Sequence, residues 1–168
     1  MDDVDVKMMR LAIEQAQLAQ SEGEVPVGAV LTFNNEVLSL GRNQNITLCD
    51  PSAHAEMLAI REGALALNNH RLLGTTLYVT LEPCSMCAGL LIHSRIKRLV
   101  YAAKDPKTGA CGSISNLVSD GSLNHTIEVV SGMLEQECSV MLSAFFKERR
   151  TQQKAQKLSS EEKGKKTS

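Results

Sequence analysis

Helix-type and strand-type segments are interleaved along this chain of 168 residues, and that order restricts the folds it can adopt. Apolar residues recur at helical spacing in residues 4–19 and again from about Met133. Helices are also predicted at residues 53–67 and 84–93, and strands at residues 27–33, 36–40, 77–81, 96–103 and 127–130. The order α-β-β-α-β-α-β-β-α predicts an α/β fold, in which a five-stranded mixed sheet carries helices on both faces.

The length and composition fit one folded domain, with 43% apolar residues available for its core. We predict this domain over residues 1–158 and a disordered basic tail over residues 159–168. No apolar run reaches the roughly 18 residues of a membrane helix, and the N-terminus is too acidic for a signal peptide. Neither a membrane-spanning nor a secreted protein is therefore expected.

The five cysteines form an odd set in a chain without an export signal. Such a set indicates a reducing compartment, with thiols that bind metal or pack in the core instead of forming disulfides. We therefore expect a cytoplasmic protein.

Charge is unevenly distributed along the chain, although the net charge is only −1. Residues 147–168 hold eight Lys or Arg against three Glu, whereas the remaining residues hold ten bases and sixteen acids. A basic end on an acidic body can hold a polyanion. The alternative is a solvated tail that only aids solubility, and charge alone does not decide between them.

Two short motifs carry metal-binding residue types: His54-Ala55-Glu56 and Pro83-Cys84-Ser85-Met86-Cys87. A lone C-x-x-C is compatible with a redox pair, with half of a four-cysteine zinc site, or with two packed thiols. The other three cysteines are isolated in sequence, which disfavours a four-cysteine site. Two cysteines and one histidine would give zinc three protein ligands and an open fourth position, as in catalytic zinc sites.

The spacing of these motifs has a mechanical reason. Cysteines three apart lie on one side of the first turn of a helix, where exposed N–H groups favour thiolates. Residues two apart on a regular helix point about 200° apart. His54 and Glu56 can therefore share a site only if His54 precedes the regular turns of its helix.

The pair H-x-E and P-C-x-x-C is the signature of zinc-dependent nucleobase deaminases. Beyond these motifs, the chain resembles the bacterial tRNA-specific adenosine deaminases, a family of the cytidine and deoxycytidylate deaminase superfamily. Similarity is dense over residues 20–116 and thinner to about residue 155. The most similar segments are residues 24–30, 50–56, 77–96, 103–109 and 145–150.

This resemblance implies a three-layer α/β/α sandwich of the cytidine-deaminase type, assembled as a homodimer with one zinc ion per subunit. It implies that His54, Cys84 and Cys87 bind the zinc and that Glu56 is the catalytic proton shuttle. The implied reaction converts the wobble adenosine of a tRNA anticodon, expected to be ACG in an arginine tRNA, to inosine. Zinc-bound hydroxide would attack C6 of adenine.

The resemblance also matches five positions to substrate binding: Asn43, Asp105, Lys107, Phe146 and Arg149. Each has an alternative, since Asn43 also suits a strand-end turn and Asp105 and Lys107 also suit a solvated loop. The aromatic segment at Phe146 could instead seal the last helix onto the core. The expected partner is a tRNA anticodon stem-loop, and no DNA or membrane partner is expected.

Other functions share parts of this pattern. Deaminases of a free base or nucleotide, such as guanine or deoxycytidylate, carry the same two motifs. A zinc-stabilised RNA-binding module without catalysis is a third possibility, although structural zinc sites usually close with four protein ligands. We expect Glu82 to accept hydrogen bonds near the cysteine turn, and Cys49, Cys111 and Cys138 to be small packed thiols.

Overall fold

The computed structural model of the protein describes residues 2–119, 121 and 125–167. Within that part, five strands form one mixed sheet in the order β2-β1-β3-β4-β5, which confirms the predicted fold class. β1 is antiparallel to both of its neighbours, whereas β3, β4 and β5 are parallel. The strands are β1 (Gly28–Phe33), β2 (Glu36–Arg42), β3 (Thr75–Leu81), β4 (Arg98–Ala103) and β5 (Glu128–Ser131). The helices are α1 (Asp3–Ser21), α2 (Ala55–Leu67), α3 (Ser85–His93) and α4 (Glu135–Lys166), and a short 3₁₀ turn covers Leu117–Ser119.

Two glycines show that helices cover both faces of the sheet. A Cβ atom at Gly28 would lie 2.0 Å from the carbonyl oxygen of Ala12 in α1, and one at Gly41 would lie 2.1 Å from that of Ala55 in α2. Gly41 pairs with Ala29, the residue after Gly28, so the two glycines face opposite sides of the sheet. α1 and α2 therefore form separate outer layers, as the three-layer sandwich requires.

α3 packs beside α2, whereas α4 packs on β4 and β3. The start of α4 is tied to α1 by an ion pair between Glu137 and Arg10. Leu, Ile, Val, Met and Ala dominate the buried core, as expected from the scarcity of aromatic residues. β1 and β2 are joined by a two-residue hairpin turn, in which Asn34 and Asn35 both have positive φ.

A buried carboxylate fixes α1 to the sheet. Asp5 Oδ1 accepts a hydrogen bond from the Tyr78 hydroxyl at 2.6 Å, and both Asp5 oxygens accept bonds from Arg98 at 2.7 Å. The hydrogen bonds from Arg98, supported by Tyr78, outweigh burial and lower the pKa of Asp5. The sequence offers no local signal for this network, because its members are 73 and 93 residues from Asp5.

The C-terminal part of the chain differs from the prediction. Disorder was expected over residues 159–168, but α4 continues to Lys166, and residue 168 lies outside the described part. The reason is that residues 151–166 contain no proline and ten of the sixteen are Lys, Gln or Glu, which favour helix. Residues 151–167 are all exposed. No helix among the described residues is long and apolar enough to cross a membrane.

Candidate metal centre and catalytic cavity

His54 and Cys84 each occupy the position just before a helix. His54 has extended backbone angles, φ −74° and ψ 154°, and α2 begins at the next residue. Cys84 precedes α3 in the same way, with φ −75° and ψ 176°. His54 therefore lies ahead of the regular turns of α2, as a site shared with Glu56 requires. This extended link allows His54 and Glu56 to face one site although they are only two residues apart.

The predicted ligand atoms converge at these two helix starts. His54 Nδ1 lies 3.6 Å from Cys84 Sγ and 3.5 Å from Cys87 Sγ. All three atoms lie within 4.8 Å of one another. His54 and Cys84 are half-buried, and Cys87 is fully buried. One imidazole nitrogen and two sulfurs so close together suit a tetrahedral metal ion such as zinc.

The three side chains of this cluster share protons through hydrogen bonds. Hydrogen bonds from Cys87 and His54 lower the pKa of Cys84, which favours its thiolate. The bond to Cys84, together with the nearby charge of Glu56, raises the pKa of His54. The bond to Cys84, together with burial, raises the pKa of Cys87. A metal ion that takes up these ligands would release the remaining protons.

Glu56 lies in the first turn of α2 and is 4% exposed. Burial raises the pKa of its carboxyl group. Glu56, His54 and Cys84 line one cavity of about 90 Å³. The other residues around this cavity are Val25, Val27, Asn43, Leu81, Glu82, Asp105 and Thr108. The cavity thus places an acid–base group beside the metal ligands, and Val25, Val27 and Leu81 form the apolar part of its lining.

Asn43 lines this cavity and also fixes the start of α2. Its Oδ1 accepts a hydrogen bond from the Ala55 N–H at 2.9 Å. The side chain of His54 does not cap the helix, so Asn43 supplies the cap from another segment. One side chain thereby connects the end of β2 to the segment that carries His54 and Glu56.

Comparison with known proteins identifies the family of this site. Residues 2–103 match the cytidine and deoxycytidylate deaminase zinc-binding region, which includes the three clustered ligands. The chain is 53% identical over 156 residues to a tRNA-specific adenosine deaminase of Haemophilus influenzae, covering 92% of this chain and 90% of that protein. It belongs to the tRNA-specific adenosine deaminase family. The metal that the family uses is zinc.

Two further relatives agree with this membership. A tRNA-specific adenosine deaminase of Bacillus subtilis is 50% identical over 151 residues, covering 90% of this chain and 94% of that protein. A structure from a study of A-to-I editing by tRNA:A34 deaminases superposes with a TM-score of 0.79 at 43% identity. That superposition covers 81% of this chain and 99% of the other, so this deaminase has the cytidine-deaminase-like fold.

The loop after β4 holds two of the predicted RNA-binding residues. Asp105 lines the cavity, but its carboxylate accepts hydrogen bonds from the N–H groups of Lys107 and Thr108 and from the Thr108 hydroxyl. Lys107 is exposed. Asp105 thus shapes the loop that presents Lys107 to solvent, and contact of either residue with RNA stays a prediction.

The other two predicted RNA-binding residues lie on α4, outside the lining of the cavity. The guanidinium of Arg149 stacks 4.7 Å from the centre of the Phe145 ring and donates to the Gly23 carbonyl at 3.1 Å. Phe146 packs edge-on against Phe145 and is 41% exposed. Phe145 and Arg149 thus hold α4 against the segment after α1, and Phe146 remains accessible.

Two buried glutamates hold loops that adjoin cavity-lining residues. Glu82 accepts hydrogen bonds from the backbone of Asp105, Cys111 and Ser113 and from the Ser113 hydroxyl, which confirms its predicted structural role. Glu24 was missed: it is 2% exposed and accepts bonds from the N–H of Ile46 and from the N–H and hydroxyl of Thr47. Burial opposes ionisation of Glu24, but the bonds from Thr47 outweigh it and lower its pKa.

Glu24 holds the loop between Asn43 and Asp50, to which the sequence alone assigned no role. The only sequence signal for this role of Glu24 is its position as the first residue of the similar segment 24–30.

The three cysteines outside the C-x-x-C motif differ in burial. Cys111 and Cys138 are buried as predicted, whereas the prediction of a packed thiol at Cys49 is wrong because Cys49 is exposed in this loop.

Proposed function

We propose that this deaminase hydrolyses the wobble adenosine of a tRNA anticodon to inosine and releases ammonia. The observation that carries the proposal is the cavity itself, in which a His-Cys-Cys cluster meets the buried carboxylate of Glu56. The names of the relatives support tRNA as the substrate, and the A34 deaminase structure supports the wobble position. Within this class, an arginine tRNA with the anticodon ACG is the substrate we propose.

His54, Cys84 and Cys87 would hold the zinc ion, leaving one coordination position for a small molecule. When bound, zinc lowers the pKa of a coordinating water to about 7 and so supplies a nucleophile near neutral pH. The imidazole and the sulfurs come from two helix starts, so the metal would also join α2 to α3.

Glu56 would move the protons of the reaction. Its carboxylate takes a proton from the attacking water and delivers it to N1 of adenine. It then takes the second proton of the water and gives it to the departing amino group, which leaves as ammonia. The carboxylate is unchanged after one turnover, and the C6–N bond is replaced by a C6–O bond. Burial of Glu56 in the cavity wall supports this assignment.

The remaining predicted residues would bind the anticodon loop. Asn43 lies at the cavity, where its amide can reach a base while Oδ1 caps α2. Lys107 would contact backbone phosphates, and Asp105 would fix the conformation of the loop that carries Lys107. Phe146 offers an exposed ring for base stacking, and Arg149, stacked on the neighbouring Phe145, adds positive charge.

We also propose a homodimer that works in the cytoplasm. α2 and α3 carry exposed apolar side chains, among them Leu65 and Met86, on the layer that holds the metal ligands. A two-fold axis near this layer would place each active site close to the subunit boundary. All five cysteines are free, which fits a reducing compartment.

Measurement of ammonia release from four substrates tests the proposed function. These are an ACG anticodon stem-loop, free adenosine, free guanine and free cytidine. We expect rapid release from the stem-loop and almost none from the others, because only the loop supplies neighbouring bases and phosphates that orient the adenine. Preferred release from guanine or cytidine would favour a free-base or nucleoside deaminase. Stem-loop binding without any ammonia would favour a non-catalytic RNA-binding module.

A further inference from the structure

The last part of α4 leaves the body of the protein. Residues 151–167 are all exposed, and only Ala155 and Leu158 among them are apolar. With a rise of 1.5 Å per residue, this segment is about 25 Å long. A helix that is polar on all sides is not held by packing against a core. Its side chains are therefore available to a partner.

Four cations on α4 form one stripe, which we call the basic stripe: Lys147, Arg150, Lys154 and Lys157. At 100° per residue, the four lie within a sector of about 80°, and they span about 15 Å along the axis. No acid occurs in residues 149–160. Among the described residues, none of the four side chains makes an ion pair with a carboxylate.

This arrangement costs stability when the helix is free. Neighbours in the stripe are three or four residues apart, a spacing at which like charges on a helix repel each other. A partner that supplies closely spaced negative charges would remove the repulsion and gain from releasing its own counterions. The phosphate backbone of a nucleic acid has this character. A lipid surface is disfavoured, because the segment lacks the apolar face of a membrane-binding helix.

The part of α4 in which the basic stripe begins lies close to a segment that lines the catalytic cavity. Arg149, between the first two members of the stripe, donates to the carbonyl of Gly23. Val25, two residues further along, lines the cavity. A substrate whose target base enters the cavity would therefore have its adjoining segments near the point at which α4 leaves the body.

We propose that the basic stripe binds the phosphate backbone of the anticodon stem, the double-stranded part that adjoins the loop. This inference rests on the proposed function and extends it, since the cavity would read the loop and the stripe would contact the stem. The stripe would add affinity without base specificity, because phosphates carry no sequence information.

The test compares Lys154→Gln/Lys157→Gln with the control Lys163→Gln/Lys166→Gln in the full-length chain. Both remove two positive charges, but Lys163 and Lys166 lie at least about 100° away from the stripe. Gln preserves helix propensity, which circular dichroism checks. Two substrates are used: an ACG stem-loop with the complete stem, and one whose stem is cut to the loop-closing base pairs.

For the complete stem, we expect the stripe variant to raise KM about five- to tenfold with little change in kcat. Its slope of log affinity against log salt should become shallower by about 1.5, at 0.7–0.9 per lost phosphate contact. The control variant should behave like wild type, and the loss should be confined to the complete stem.

An unchanged KM for the complete stem in the stripe variant would overturn the inference, as would equal losses in stripe and control variants. An equal rise in KM on both substrates would mean that the stripe contacts the anticodon loop and not the stem, which would also overturn the inference. Failure of the proposed function gives a different result, because wild type would then deaminate neither stem-loop.

Discussion

Glu56 combines burial with a position two residues after a metal ligand, and this combination makes it the most informative single residue to change. Glu56→Gln keeps the size of the side chain but cannot take up a proton. We expect near-normal zinc content and a kcat lower by at least ~10²-fold, the usual minimum contribution of a positioned acid–base group. Glu62→Gln, an exposed change on the same helix, is the matched control. Near-normal turnover in Glu56→Gln would exclude the proton-shuttle role.

Two of the buried thiols, Cys87 and Cys111, provide a paired test of the metal site. Cys87 belongs to the three-ligand cluster, whereas Cys111 contributes a backbone N–H to Glu82 and lies outside the cluster. Elemental analysis should find about one zinc per chain in wild type and Cys111→Ser, and a strong loss in Cys87→Ser. Chelation should also lower Tm, because metal binding stabilises the fold. The reverse order of zinc loss would contradict the ligand assignment.

Among single residues, the sequence predicts the site residues whose relative positions are set within a short segment. The spacing of His54, Glu56, Cys84 and Cys87 is set by two helix starts, so local rules are sufficient to bring each pair into place. The supporting residues could not be found in this way. Glu24 reaches a loop more than twenty residues away, through a contact that depends on loop conformation and leaves no periodic pattern.

Among the helices, α1 is held by the network of Asp5, Tyr78 and Arg98. Asp5→Asn should lower the free energy of unfolding at neutral pH by roughly 3 kcal/mol, the lower end for breaking a buried ion pair. Asp3→Asn, an exposed change in the same turn, should have little effect. Denaturant unfolding of wild type and both variants over a range of pH measures these differences.

The pH dependence of this network follows from the lowered pKa of Asp5. Its stabilisation is fully present above the unfolded pKa of 3.8 and is lost as the pH falls through the lower folded pKa. The difference between wild type and Asp5→Asn should therefore be constant near neutral pH and shrink in strong acid. A difference that grows on acidification would contradict the assigned role.

The predicted positions of helices and strands agree with the structure where the hydrophobic pattern is strong. They differ where contacts with distant residues determine the local conformation. All five strands lie within about two residues of their predicted positions, because buried apolar runs between turn residues mark them clearly. The 3₁₀ turn Leu117–Ser119 was missed, since three residues carry no periodic signal. The predicted loss of order after residue 158 is wrong because α4 continues beyond the end of its apolar stripe.

For the whole molecule, the separation of a basic C-terminal segment from an acidic body gives a surface suited to a polyanion. The sequence left a solvated tail as the alternative, and the helical geometry of the basic stripe is what favours RNA. Layer arrangement could be predicted from element order, whereas the position of α4 beside the cavity depends on tertiary contacts, among them the bond from Arg149 to Gly23.

Assembly is also a property of the whole molecule. We expect a two-fold dimer, because the layer that carries the metal ligands also exposes Leu65 and Met86. Light scattering at micromolar concentration should give twice the chain mass, and Leu65→Lys with Met86→Lys should shift the mass toward one chain. A monomeric wild-type protein would contradict the proposed dimer.

Action on adenosine at the wobble position of an anticodon loop is the core of the proposed function. Single-turnover reactions test it on two stem-loops of identical composition, one with the anticodon ACG and one with CAG. Mass spectrometry of the products measures inosine at each position. We expect inosine from ACG and almost none from CAG, because the cavity must receive the first base of the anticodon. Equal inosine formation in both, or none in either, would contradict it.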